Sequence, residues 1–365
     1  MPSLSSGPFR GLFSGRSRRS VLVVLAGALM VALLVVAVVM WRGSQVTTFE
    51  RAVAQAPEDT ARMTYVDWSG LRAELGVTLS ARSSTEELGD LLDRGFDRDL
   101  TGPSGLLESA TSLHERFRLS PAVLEWESLA QSPAGAAITL ALPASYDFDA
   151  LGDRLESIGY ARPRDASGVW VGGPEMLSRN AVGVSPLFQH LVLLEEEGLV
   201  LASDEAPYAG IARDAALGED ALEPEGVVGE ADDPLSAIYL VGDFGCGALA
   251  MSQADPDSEQ IAASLVREAG KINPYTGLVV SAQPGGDLRM SFGFANSDQA
   301  RINATTRARL AEGPAPGQGG DFTDRFSLES ATADGSLVTL DLRPADEDSY
   351  VFSDLSSGPV LLATC

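Results

Sequence analysis

Lysine appears once, at Lys271, and histidine and cysteine only twice each, in a chain of 365 residues. These scarcities exclude whole classes of chemistry. A zinc centre takes three or four ligands, mostly nitrogen or sulfur, and His114, His190, Cys246 and Cys365 are too few and too scattered to supply them. A serine or cysteine nucleophile needs a base beside it, and no serine lies in a Gly-x-Ser-x-Gly elbow. No Cys-x-x-Cys is present to support redox exchange. The glycine-rich run Gly242-Asp243-Phe244-Gly245-Cys246-Gly247 lacks dinucleotide spacing and the lysine of a phosphate loop. It is read as a tight turn feeding a strand that carries Cys246. No catalytic residue, cofactor or metal site is therefore assigned.

Positive charge is also scarce. The chain has 26 basic and 51 acidic side chains, a net charge of −25. Five of the basic residues and none of the acidic ones lie in 1–42, leaving 21 against 51 for the rest. Such a surface repels nucleic acid, so nucleic acid is excluded as a partner. With so many acids, picking one carboxylate pair for glycoside hydrolysis from the sequence would be arbitrary. Calcium is the metal such a composition favours, and Asp255, Asp257 and Glu259 hold the first alternate positions of a possible loop. The glycine and glutamate that an EF-hand needs next are replaced by Gln260 and Val266. Asp257 and Gln260 are read instead as a capping box that opens a helix over 261–269.

What the chain does have is an unbroken apolar run. Residues 21–41 contain no charge and no proline. As a helix they span roughly 31 Å, the thickness of a bilayer's hydrocarbon core. Arg10, Arg16, Arg18 and Arg19 precede the run and Trp41 and Arg42 close it. The positive-inside rule then places residues 1–20 in the cytoplasm as a basic tail and the rest outside, on a single-pass signal anchor in the cell membrane. A cleaved leader would be shorter, with its small-x-small site next to it, and Ala52-Val53-Ala54 is too far downstream. Arg18-Arg19 resembles a twin-arginine signal, but inside-facing charge explains the pair as well. An exterior location makes Cys246 and Cys365 a candidate disulfide that pins the C-terminus.

Residues 42–60 read as a juxtamembrane spacer with a short helix near 47–55. A strand over 61–66 and a helix capped by Asp67 follow, and Leu88, Leu91 and Leu92 form one stripe of a helix. Four strand–turn–strand–helix units come next. Their hairpins are 126–132 with 136–142, 187–194 with 199–202, 276–282 with 288–294, and 325–330 with 337–342. The turns are Ser132-Pro133-Ala134-Gly135, Glu195-Glu196-Glu197-Gly198, Pro284-Gly285-Gly286-Asp287 and Asp334-Gly335. Helices are expected over 148–158, 206–216, 297–312 and 346–355, the first between Asp147 and Gly159. The class is α+β, with antiparallel sheet and helices on one face. An acidic stretch, 218–234, divides a first half (61–217) from a second (235–365), and the repeated order of elements suggests a duplication.

Arg62-Met63-Thr64-Tyr65-Val66-Asp67-Trp68, with Leu71-Arg72 and Leu75-Gly76, resembles the opening of uncharacterised membrane-anchored proteins of high-GC Gram-positive bacteria, and 147–160 is similar too. The resemblance implies one N-terminal span and an exported α+β portion. It transfers no activity and no functional residue. The expectation is a non-catalytic, membrane-tethered binding or interaction module of the cell envelope, whose partner is an envelope protein or a hydrophobic ligand. A carboxylate-dependent envelope hydrolase and a lipid carrier are the alternatives, and Trp68, Trp126 and Trp170 are either groove-lining or core residues.

Overall fold

The computed structural model describes residues 46–346 and 349–365. The expected membrane span 21–41 and the basic tail lie outside the described residues. Among the described residues, no helix is long and apolar enough to cross a membrane.

The described chain runs through α1 (Thr48–Ala54), β1 (Arg62–Val66), α2 (Trp68–Glu74), α3 (Thr85–Asp97), α4 (Ala110–Phe117), β2 (Glu127–Ser132), β3 (Gly135–Ala141) and α5 (Phe148–Ile158). It continues with β4 (Val169–Val171), α6 (Pro174–Asn180), β5 (His190–Leu194), β6 (Leu199–Ser203) and α7 (Ala206–Ala216). A short α8 (Gly226–Gly229) precedes β7 (Ser236–Val241), α9 (Gly242–Ala248), α10 (Pro256–Ala269), β8 (Gly277–Ala282) and β9 (Leu288–Gly293). Finally come α11 (Ser297–Ala311), β10 (Phe326–Asp334), β11 (Leu337–Pro344) and α12 (Val351–Ser356).

Local chemistry sets most of these boundaries. The Asp147 carboxylate accepts from Ala150 N at 2.8 Å to start α5, and Gly159 ends it at φ 118°. Ser84 and Glu87 form a reciprocal box at the start of α3, whose Leu88 and Leu91 are buried. One cap differs from expectation. Asp255, not Asp257, caps α10, accepting from the backbone N–H of Asp257 and Ser258, because Pro256 is already shaped for the first helical position. A larger difference concerns 242–248. This run is the helix α9, so Cys246 sits on a helix and not on a strand.

All eleven strands join one antiparallel sheet in the order β10-β11-β9-β8-β7-β1-β2-β3-β6-β5-β4. Strands β1 and β7 meet at its centre, with Thr64 opposite Ile238. Outward from that seam run β1, β2, β3, β6, β5 on one side and β7, β8, β9, β11, β10 on the other. Each series is a leading strand, two helices or more, a hairpin, a helix, and a second hairpin whose later strand lies next to the first. The four expected hairpins are all present, and the two series follow the same order of elements outward from the seam; β4 has no counterpart. The sequence reading did not include β7 or β4. The long edge strand β10 is interrupted by an irregularity between Leu328 and Ser330, which spoils it as a template for further pairing.

Helices cover both faces, which corrects the one-face expectation. Ile238 and Leu240 of β7 belong to the larger core, packed with Trp68, Leu113, Phe117, Leu151 and Leu155. Their neighbours Ala237 and Tyr239 face the opposite way, into a second core with Phe49, Val53, Tyr208, Ala212 and Val227. A central strand buried on both sides loses the polar alternation that a one-sided sheet would show. The covering elements of the second face are α1, α7 and α8. Phe49 and Val53 of the supposed spacer are fully buried, as are Val227 and Val228 from the acidic stretch 218–234. Residues Thr47–Cys365 form one compact unit.

Candidate functional site

A groove of about 490 Å³ with three arginines in its lining lies between α2, α4 and α5. Its walls include Leu79, Phe117, Val123, Tyr146 and Leu151, with Arg72, Arg118 and Arg154 around them. Phe117 and Leu151 belong to the main core, so the apolar floor is fixed by packing. Two carboxylates, Glu125 and Asp147, complete the polar lining.

The three arginines are held differently. Arg72 donates from Nη1 to the Pro121 and Leu124 carbonyls, at 2.6 and 2.9 Å, and braces the loop before β2. Burial lowers its pKa, while Glu125 and Asp67 oppose that shift. Arg118 follows α4 directly and takes a left-handed backbone, φ 58° and ψ 22°, in a position that glycine or asparagine usually fills. Its guanidinium makes one long bond, 3.3 Å, to the Ala81 carbonyl. Arg154 lies on α5 one turn past Leu151, on the face that Asp147 begins. Neither Arg118 nor Arg154 enters any ion pair formed among the described residues. The Tyr146 ring packs edge-on against Phe148, and its hydroxyl reaches the Arg118 carbonyl only at 3.5 Å. Burial pushes the Tyr146 phenol up to about 12, with Arg154 acting against that, so the hydroxyl keeps its proton.

A smaller pocket of about 220 Å³ lies beyond the C-terminal end of α3 and is lined by Glu74, Asp99, Asp287 and Asp346. Facing acids there would favour hydrolysis, but three of these carboxylates are engaged. Glu74 faces Arg98 at 4.0 Å and Asp287 faces Arg343 at 3.1 Å. Asp99 accepts from the Ser353 amide and hydroxyl.

The residues singled out from the sequence sit elsewhere. Trp68, Trp126 and Trp170 are buried in the cores and not in the groove. His114 bridges the Ser120 hydroxyl (2.9 Å) and the Ser83 carbonyl (2.8 Å), tying α4 to the start of α3. His190 lies in β5, paired with Ser203 of β6. No group of three or more His, Cys, Asp or Glu among the described residues is placed to hold a metal ion. Cys246 and Cys365 are joined, with Cα atoms 5.6 Å apart. Arg118 and Arg154 were not legible as site residues. For Arg154 a signal existed, since it shares a helical face with Leu151, but only the fold brings Arg118 opposite.

Among the described residues, one carboxyl and one guanidinium group are fully enclosed. Glu127, at the start of β2, accepts from Trp68 Nε1 and Gly105 N, both at 2.8 Å. Burial outweighs these bonds and raises its pKa from 4.5 to about 7. The folded protein thus keeps a proton that the unfolded chain has lost between those pH values. The Glu127 contribution is present in full below about pH 4.5 and is lost as pH rises through about 7, a change on the order of 3 kcal/mol. A Glu127→Gln variant is expected to remove this slope. Urea titrations at pH 4.5, 6 and 8 check it, and a variant whose stability follows the parent's at every pH would contradict it.

Arg307, on α11, is the other. Its guanidinium lies 4.5 Å from the centre of the Phe292 ring and donates to the Leu362, Thr364 and Asn273 carbonyls. It faces no carboxylate among the described ion pairs, and burial pushes it down to about 10.

No family model matches the chain, and no curated protein matches it. Among solved structures, crystal forms I, III and IV of TP0453 are similar over 84% of this chain and 96–97% of theirs, at 8% identity. Their TM-scores are 0.36, 0.38 and 0.39, too low for anything about this chain to be argued from them.

Proposed function

We propose that the chain is a membrane-tethered, extracytoplasmic binding module of the cell envelope, with no reaction centre of its own. In this reading residues 21–41 lie in the bilayer, 1–20 face the cytoplasm, and the body from about residue 47 onward stands outside. The observation that carries it is the Cys246–Cys365 bond, which uses both cysteines of the chain. Disulfides persist in oxidising compartments and are rare inside cells. The acidic composition suits an exported, soluble body, and the groove between α2, α4 and α5 gives a binding module somewhere to bind.

Treating intact cells with protease tests the topology. The body is expected to be digested there, while an epitope placed at the N-terminus survives until the membrane is permeabilised. In the same sample, alkylation of the denatured protein is expected to label neither cysteine until a reductant is added. A body protected in intact cells, or two thiols that alkylate without reductant, would overturn the reading.

A further inference from the structure

On the reading of the chain as a binding module, we propose that the groove between α2, α4 and α5 takes a small amphiphile with one negative charge, its head on Arg118 and Arg154 and its apolar chain on Leu79, Val123 and Tyr146. Three guanidinium groups and two carboxylates line the groove, so one positive charge is left over. That balance suits a monoanion. A dianion would be held less well inside a body with 21 basic and 51 acidic residues beyond position 42.

Arg72 and Glu125 offset one another, and Asp147 is occupied in capping α5. Arg118 and Arg154 remain, with no carboxylate partner among the described residues, and the Tyr146 hydroxyl lies 3.5 Å from the Arg118 backbone carbonyl. Two planar guanidinium forks match a carboxylate or a phosphodiester oxygen pair. The groove's volume, about 490 Å³, is within the range of small-molecule sites, and its floor is core packing that does not have to reorganise.

A second observation is independent of charge. Arg118 holds a left-handed backbone, φ 58°, that a glycine would adopt without strain. Asp99, Asp220 and Asp232 share this conformation, but among the four only Arg118 is a cation lining a groove. The charged head can come from a free carboxylic acid or from a phosphodiester lipid at the membrane to which the body is tethered. Both present one negative charge on an apolar chain.

Full-length protein in phosphatidylcholine nanodiscs, titrated calorimetrically with decanoate, tests this. Saturable one-to-one binding is expected, with decanol at least about tenfold weaker, as loss of a charge-assisted contact implies. Arg118→Gly and Arg154→Gln are each expected to weaken decanoate by about tenfold or more. Arg118→Gly should melt no lower than the parent, which separates lost binding from lost folding. If phosphatidylglycerol in the disc competes with decanoate, the head comes from the membrane; if decanoate binds unchanged, it comes from a free acid. Decanol binding as tightly as decanoate, or variants binding like the parent, would overturn the proposal. Failure of the tether would appear in the protease experiment and leave the calorimetry untouched.

Discussion

A Cys365→Ser variant is expected to lose about 4–5 kcal/mol of stability, the value of cross-linking a loop of roughly 120 residues in the chain-entropy model. The bond joins the last residue of the chain to α9, 119 positions earlier. It does more than restrict the unfolded chain. Val360, Leu361, Leu362 and Ala363 are all within 1% of complete burial, and the bond at Cys365 anchors this segment. The Val360 amide donates to the Leu249 carbonyl at 3.0 Å, just past the helix that carries Cys246. Without the bond, these four apolar residues depend on packing and on Arg307. Urea midpoints of parent and variant measure the effect, and hydrogen exchange at 360–364 under native conditions reports the release of this segment. A loss below about 1 kcal/mol would mean that the unfolded chain is already compact around this loop, so that the bond restricts it little.

Replacing Arg307 is expected to cost about 3–5 kcal/mol as Arg307→Ala, from buried carbonyls left unpaired and the cavity left by the side chain. The guanidinium is the shared donor for carbonyls on two separate segments, Asn273 before β8 and Leu362 and Thr364 at the chain end. Truncation leaves those oxygens unpaired and removes the cation that lies over Phe292. Arg307→Lys should recover little, because a single ammonium cannot reproduce a planar fork reaching three carbonyls. Arg307→Met should recover the packing and not the hydrogen bonds. The side chain already bears a cost, since its Nε has no partner among the described residues and burial lowers its pKa. Since Arg307 bonds Leu362 and Thr364 and the disulfide holds Cys365, both act on one segment and their effects are not additive. A double-mutant cycle should show a coupling above about 0.5 kcal/mol, and strict additivity would sink the view of a jointly held chain end.

The four hairpins were legible because each is announced by its own turn. Asp334-Gly335 leads directly into the register that places Asp334 opposite Leu337, with Gly335 at φ 54°. Helix α5 was legible for the same reason, since Asp147, four apolar residues on one face and Gly159 are all within its own length. Strand β7 was missed, and the reason is physical. Ser236-Ala237-Ile238-Tyr239-Leu240-Val241 carries no alternation, because both of its faces are covered, and an apolar run of five does not distinguish strand from helix. The helix α9 was missed because Gly242, Gly245 and Gly247 argue for a turn. Tertiary contacts override that propensity: Gly245 packs so closely on Leu240 and Tyr275 that a Cβ there would meet atoms at 3.0 Å.

The amino-acid order alone set the short-range features: where helices start and stop, which strands turn back on themselves, the surplus of acid, and the apolar run 21–41 with its flanking arginines. Each depends on residues within a few positions of one another. The assembled fold decided which leading strands meet at the sheet's centre, that both faces are covered, where Glu127 and Arg307 are enclosed, and that Arg118 and Arg154 share a groove. Those outcomes depend on groups tens to hundreds of residues apart, whose energies exist only once distant segments have closed on each other and excluded water from between them.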